Sequence, residues 1–383
     1  MFKLLKGGHC YTPGDIGIKD VAVVYGHIYR VDENISRNIL PDMEVLDCSG
    51  KIICPAFIDQ HVHITGGGGE EGPVSRIPEI SLGEILSSGV ATVVGVLGVD
   101  GITRSVESLL AKARGLEAEG LNTYIYTGSY SVPTATITGK VISDMVLIDK
   151  VIGAGEIAIA DHRSSNPSIE QLAELASQVH TGGLLGGKAG ILHLHVGDGK
   201  EGIEKLFRLV YEYDFPVEMF VPTHLNRNTN LFEQAAEYLK IGGTADFTAG
   251  ETSGKGCSVP EALSCLTRKG INLDKVTVSS DGNGSIPAKD GQKTGIGRVR
   301  QLYDDICSSI ISEKINPEDA FKTVTENVAR ILKIYPRKGT LTVGSDADIL
   351  VLNSSDLSID KFLIGGDKYI DNGNIMRKGR YEK

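Results

Sequence analysis

The chain has 383 residues, a formal net charge of −10, 41% hydrophobic residues and 23% charged residues. That length suits one large domain with an appendage, or two ordinary domains, with enough apolar content for a sizeable core. The acidic balance argues against nucleic acid or an anionic membrane surface as a main partner, and no apolar run approaches the length of a membrane span.

The opening stretch MFKLLKGGHCYTPGD has too short an apolar segment for a signal peptide, so a cytoplasmic location is expected. Residues 21–31, VAVVYGHIYRV, alternate around Gly26 and read as a hairpin. From residue 54 to about 335 an apolar strand-like run is followed by a longer helical segment, again and again. Strands are expected at AFIDQHVHI, ATVVGVLG, TYIYTGSY, IAIADHR, ILHLHVGD, PVEMFVPTHL, ADFTAG and KVTVSSDG, with helices such as SVESLLAKARGLEAEG and SIEQLAELASQVHTG between them. The C-terminal segments GSDADILVLN, DKFLIGGDKYI and NGNIMRKGRY return to short strands with Gly and Asn turns. Six scattered cysteines without CxxC spacing read as small buried hydrophobes in a reducing compartment.

Eight strands alternating with helices fit a (β/α)8 TIM barrel, here 54–336. The β-rich ends, 1–53 plus 337–383, are expected to form a small β-sandwich domain. In such a barrel the polar residues at the C-terminal strand ends carry the chemistry. These are His61 and His63, Asp100, Tyr130, Asp161 to Arg163, His195, His224 and Asp281. Residues two apart on a strand share a side, so His61 and His63 can reach one ion. One strand-end histidine is ordinarily a hydrogen-bonded core residue. Together with His195, His224 and Asp281 on other strands, the pair forms a metal constellation whose imidazole and carboxylate donors suit Zn²⁺ at about 2.0–2.2 Å. His193, a residue pair deeper in LHLH, reads as a packed barrel histidine.

Taken together, PAFIDQHVHITGGGGEEGP, TGSYSVP, DHRSSNP, GGLLGGKAG, HVGD, PTHLNRN and SSDGNGS resemble the isoaspartyl (β-aspartyl) dipeptidases of the amidohydrolase superfamily. The resemblance runs from about residue 50 to 350. It implies two zinc ions per subunit, about 3.5–4 Å apart with a hydroxide between them. His61 and His63 would hold one ion and His195 and His224 the other, with Asp281 as both ligand and general acid/base. The family carries a carbamylated lysine at the end of the fourth strand. Here VIGAGEIAIADHR is one residue longer than the family pattern, and counting back from Arg163 lands on Glu156. A glutamate offers two bridging oxygens without CO₂ chemistry, so Glu156 is expected to bridge and a carbamylated lysine is not. The nearest lysine, Lys150, precedes the apparent strand; the competing reading makes Glu156 a loop acid.

For the substrate, the resemblance implies that Glu70 pairs with the α-ammonium and Gly68 makes a backbone contact. Arg163, Arg227 and Ser285 would hold carboxylates, while Tyr130 would face the oxyanion. Consecutive glycines at 66–69 would let the backbone press against the ligand with N–H groups turned inward; a loose loop beside a metal site is the alternative. Val99 stands where the family has a threonine contact. The expected partners are small dipeptides and further copies of the chain, with neither nucleic acid nor membrane. Competing functions are a cyclic-amide hydrolase of the dihydropyrimidinase or dihydroorotase kind, which would not need GGGGE with paired arginines, and a metal-free scaffold, which would not need ligands on four strands.

Overall fold

The computed structural model describes residues 2–39, 41–251, 254–287 and 294–382. Its first strands are β1 (Phe2–Tyr11), β2 (Asp15–Val24), β3 (His27–Asp32), β4 (Glu44–Asp47) and β5 (Lys51–Pro55). The hairpin expected at 21–31 is present. β2 and β3 pair antiparallel around Tyr25 and Gly26, which sit at φ 48° and 84°, the positive values that a tight two-residue turn requires. β1 carries no clean alternation to read, because Gly7 and Gly8 interrupt it. The ladder absorbs them as a register shift between Leu5 and Gly8.

Strands and helices then alternate. In order they are β6 (Phe57–Val62), α1 (Leu82–Leu86), β7 (Val90–Gly95), α2 (Val106–Ala118), β8 (Asn122–Thr127), α3 (Val141–Leu147) and β9 (Val151–Ile159). There follow α4 (Ile169–Gly186), β10 (Ile191–Val196), α5 (Glu204–Glu212), β11 (Phe220–Thr223), α6 (Thr229–Lys240), β12 (Ala245–Thr248), α7 (Val259–Arg268) and β13 (Val276–Ser279). Each of the expected central strands has its counterpart. Helix starts follow local chemistry: the Ser105, Ser168 and Ser258 side chains each accept from the backbone N–H three residues on. α4 ends where Gly187 turns left-handed, at φ 62°.

β6 to β11 form a parallel sheet in sequence order, and β12 pairs parallel with β13. β6, β7, β9 and β10 are buried along their whole length, as a parallel sheet covered on both faces requires. Leu225, just after β11, donates its N–H to Asp246 of β12 (3.2 Å), and His63, just after β6, donates to the Gly282 carbonyl beyond β13 (2.9 Å). The buried Asp246 carboxylate links four strands. It accepts from Gln60 on β6 (2.8 Å), Thr223 on β11 (2.6 Å), and Thr277 and Ser279 on β13 (2.6 Å each).

The chain closes with the antiparallel pair β14 (Ser285–Pro287) and β15 (Thr294–Ile296), helices α8 (Val299–Ile311), α9 (Pro317–Lys322) and α10 (Glu326–Ile331), and strands β16 (Ile349–Asn353), β17 (Ile359–Ile364), β18 (Asp367–Asp371) and β19 (Asn374–Ile375). Strands from both ends of the chain join one sheet in the order β19-β18-β17-β16-β5-β1-β2-β3, with β4 beside β1. The antiparallel pairing of β5 with β16 is the seam between them. This sheet has its own apolar cluster, including Leu5, Val21, Val23, Ile53, Ile349 and Val351. Among the described residues, no helix is long and apolar enough to cross a membrane.

Candidate metal centre and active site

The C-terminal ends of the parallel strands bring the expected ligands together. His61 is the penultimate residue of β6 and His63 follows its end; His195 is penultimate in β10; His224 follows β11; Asp281 lies two residues beyond β13. All are at most 5% exposed. His224 and Asp281 hold positive φ (65° and 49°), a conformation that costs free energy in a non-glycine residue and concentrates at functional sites.

Glu156 sits at the middle of this group, 1% exposed. Leu192 pairs with Ala154 and Leu194 with Ile157, so two residues of β9, Gly155 and Glu156, lie opposite one of β10, His193. β9 therefore carries a bulge at Gly155–Glu156, and a bulge re-aims the side chain it carries. Oε1 of Glu156 lies 2.8 Å from His195 Nδ1 and 3.3 Å from His224 Nε2. Oε2 lies 3.4 Å from His61 Nε2 and 3.7 Å from His63 Nε2. One oxygen thus faces each histidine pair. Asp281 Oδ1 completes the first side, 3.0 Å from His63 Nε2 and 3.4 Å from His61 Nε2.

Among the described residues, two sets of donor atoms come close enough to hold a metal ion, His61–His63–Glu156 and Glu156–His195–His224. Their chemistry fits a cation. Oε2 of Glu156 is buried without a hydrogen-bond partner among the described residues, and such an orphaned carboxylate oxygen is costly unless positive charge stands beside it. Burial alone would push the Glu156 carboxyl up. The charge of His61 and His195, with hydrogen bonds from His195 and His224, instead holds it well below the usual carboxylate range. Burial likewise raises Asp281, but its bond to His63 and the surrounding imidazoles bring it down to about 2. For His61 burial works against the cationic form, and Glu156 and Asp281 overcome it and raise the imidazole to about 9. The space between these carboxylates favours positive charge.

The outer ring nitrogens are held as well. His61 Nδ1 is 2.9 Å from His193 Nε2, His224 Nδ1 is 2.6 Å from the Thr248 hydroxyl, and His195 Nε2 is 2.9 Å from Asp161 Oδ2. Partners of this kind orient a metal-binding imidazole. His193 is fully buried on β10, stacked on Tyr126 at 5.1 Å, and it also touches a candidate ligand, His61. Sequence patterning alone gives Asp161 and Thr248 no role. Asp161 was visible as a strand-end carboxylate two residues before Arg163; nothing local marks Thr248.

The four glycines have a steric reason. Gly66, Gly68 and Gly69 hold positive φ, and a Cβ on Gly66 would stand 2.0 Å from the Ile77 carbonyl oxygen. Gly67 would meet the Asn283 carbonyl oxygen at 3.0 Å. The N–H groups of Gly66 and Gly67 donate to His63 and Asn283 carbonyls, so these two are committed within the protein and do not serve an anion nest. His63, Gly68, Glu70, Tyr130, Asp281 and Ser285 line one pocket, with Val99 apolar in its wall. Glu70 accepts from Ser285 Oγ (2.7 Å) and Arg163 Nη1 (3.2 Å). Tyr130 is 2.9 Å from His195 Nδ1, and burial holds its phenol well above the ordinary range. Arg227 donates to the Val196 carbonyl (3.1 Å) and to Glu251 (3.3 Å), with Nη1 3.4 Å from His195 Nε2. Asp100 does not join the ligands; it pairs with Arg76 at 2.8 Å. Lys150 lies elsewhere, pairing with Glu117 at 2.6 Å.

Residues 255–372 match the Amidohydrolase family. Over its whole length the chain is 42% identical to a crystal structure of β-aspartyl dipeptidase from Fervidobacterium islandicum AW-1 in complex with a β-Asp-Leu dipeptide, covering 100% of both chains with a TM-score of 0.93. A dihydropyrimidinase from Brevibacillus agri NCHU1002 shares the fold at a TM-score of 0.71 with 14% identity, over 99% of this chain and 97% of that one. A dihydroorotase from Aquifex aeolicus is 30% identical over 194 residues, 47% of this chain and 41% of its own length. The chain spans about half or less of the length of the curated relatives it matches.

Proposed function

The chain belongs to the β-aspartyl dipeptidases of the amidohydrolase superfamily, and from that premise we propose that it hydrolyses β-aspartyl dipeptides at a site for two zinc ions. The observation that carries this reading is Glu156, one carboxylate oxygen toward His61 and His63, the other toward His195 and His224. His61, His63 and Asp281 would hold one ion and His195 and His224 the other, with Glu156 offering an oxygen to each side. Imidazole nitrogen and carboxylate oxygen are donors that suit zinc. When bound, the ions supply Lewis acidity toward the scissile carbonyl and make water a nucleophile at neutral pH.

The rest of the reaction falls to the chain's own groups. Asp281 accepts the proton of the attacking water and delivers it to the leaving amine. The Tyr130 hydroxyl donates to the carbonyl oxygen as negative charge develops there. Glu70 pairs with the substrate ammonium, Gly68 presents backbone, and Arg163, Arg227 and Ser285 hold the carboxylates. The same proposal reads β6 to β13 as a closed eight-stranded barrel within 54–336. Supporting it are the parallel bridge between Val62 and Gly282 and the Asp246 bonds across β6, β11 and β13. It takes the terminal strands of 1–53 plus 337–383 as a small sandwich around their own apolar cluster, and the protein as a cytoplasmic homo-oligomer.

The test is zinc content of the purified protein together with turnover of β-Asp-Leu, α-Asp-Leu and dihydrouracil. About two zinc ions per chain and cleavage confined to β-Asp-Leu are expected. Preferential opening of dihydrouracil would transfer the chain to the cyclic-amide hydrolases.

A further inference from the structure

We infer that Asp161, through one carboxylate, positions both His195 and Arg163 and so couples zinc binding to recognition of the substrate carboxylate. The inference rests on the dipeptidase reading of the site. Asp161 Oδ2 accepts from His195 Nε2 and from Arg163 Nη2, each at 2.9 Å; Oδ1 accepts from Arg163 Nε at 3.0 Å and from the Arg163 backbone N–H at 2.7 Å. Both oxygens are thus used, and the Asp161 side chain is 4% exposed.

A carboxylate facing an imidazole nitrogen selects the tautomer that carries its proton there. With the proton on Nε2, His195 turns the lone pair of Nδ1 toward Glu156, the direction ligation requires. The same carboxylate grips the Arg163 guanidinium bidentately and fixes its plane, leaving Nη1 toward Glu70.

Two backbone features exist to place this side chain. Ala160 holds φ 51°, the left-handed region, at the residue before Asp161. Across from it, Gly197 of the HVGD segment lies so close that a Cβ would stand 2.5 Å from Asp161 Cβ and 2.6 Å from its Oδ2. A glycine at 197 is what lets β10 pass against Asp161 while His195, two residues earlier, meets it. Strain on one side and a missing side chain on the other hold one carboxylate between two functional groups.

The experiment uses the full-length enzyme as wild type, Asp161→Asn, Gly197→Ala, Arg163→Met and the Asp161→Asn/Arg163→Met double variant. Zinc affinity is measured by competition with a chromophoric chelator, kcat and KM on β-Asp-Leu, and folding by circular dichroism and thermal melting. Asp161→Asn is isosteric and should melt near the wild type. It should weaken zinc binding about 10–100-fold and raise KM about tenfold or more. Arg163→Met should raise KM while leaving zinc affinity within about twofold, and the double variant should raise KM no further than Arg163→Met alone, since the two residues act as one unit. Gly197→Ala, with Asp161 intact, should reproduce both shifts in the direction of Asp161→Asn. The coupling is overturned if Asp161→Asn or Gly197→Ala leaves zinc affinity and KM at wild-type values, or if the KM losses multiply in the double variant. A wild-type enzyme with neither zinc affinity nor β-Asp-Leu turnover overturns the dipeptidase reading and the coupling with it. Failure of the variants alone, on an active zinc-loaded wild type, overturns only the coupling.

Discussion

His193 Nε2 lies 2.9 Å from Nδ1 of His61, with both rings fully buried. For Nε2 of His61 to offer a lone pair toward Glu156, Nδ1 must carry the ring proton, and His193 is then its acceptor. Burial pushes the His193 pKa well below the ordinary value, which keeps the ring neutral and able to accept. His193→Phe retains an aromatic ring against Tyr126 but removes the acceptor. It is expected to weaken zinc binding about 10–100-fold with little change in KM once zinc is saturating. Chelator competition gives the affinity, and a wild-type value would show that His193 only fills space.

Glu156 leads to a second expectation. A carboxylate is present from translation, whereas a carbamate must be made from lysine and CO₂. Wild-type apoenzyme should therefore regain full activity with zinc in bicarbonate-free buffer. Glu156→Gln offers one good neutral oxygen in place of two anionic ones and should retain about one zinc per chain, with turnover lost. Metal stoichiometry after dialysis reads this directly. A requirement for bicarbonate in the wild type would contradict the assignment.

The parts of this site that were legible in the sequence share one property. His61, His63, His195, His224 and Asp281 each follow an apolar run at a strand end, so periodicity and the gathering of polar residues at the C-terminal ends of parallel strands point to them. Glu156 lies inside a strand, and only its spacing from Arg163 pointed to it. The bulge opposite Leu192–Leu194 is the reason that spacing and not alternation was informative. Asp161 stands among the strand-end residues without a role, because its meeting with His195 depends on the close approach of Gly197, which no local pattern encodes. The Asp246 network was illegible for the same reason: its donors come from β6, β11 and β13, up to 186 residues away in the chain. β1 escaped because glycines break its alternation, although it pairs with β2, β4 and β5.

Acid sensitivity should have a component in the terminal sheet. Asp20, 2% exposed, accepts from Lys6 Nζ, the Ile35 N–H and the Gly7 N–H, each at 2.8 Å. Burial would raise its pKa, but these donors together bring it below the ordinary value. The folded-state pKa is then lower than the unfolded one, about 3.9. The carboxylate stabilises the fold above that pH, and its contribution is lost as pH falls through the folded value. Asp20→Asn should cost about 2 kcal/mol near neutrality, the worth of its charged hydrogen bonds. Urea unfolding of both proteins from pH 7 to pH 3 should show the gap constant above about pH 5 and narrowing below about 4. A gap that widens on acidification would mean the shift has the opposite sign.

Glu70 discriminates between two jobs at the mouth of the pocket. Its Oε1 accepts from Ser285 at 2.7 Å and Arg163 at 3.2 Å, so it could either meet the substrate ammonium or merely hold Arg163 in place. Under the proposed function it meets the ammonium. Glu70→Gln keeps an oxygen for Ser285 while removing the negative charge, and a charged hydrogen bond is worth about 1.5–3 kcal/mol, roughly 10–150-fold in binding. β-Asp-Leu should therefore lose about that factor in kcat/KM. N-acetyl-β-Asp-Leu, which has no ammonium to pair, should be a poor substrate for the wild type and lose little further in the variant. If Glu70 served only to orient Arg163, both substrates would keep their carboxylates and lose that orientation alike. Equal fractional losses on the two substrates would thus reassign Glu70 from ammonium recognition to support of the arginine.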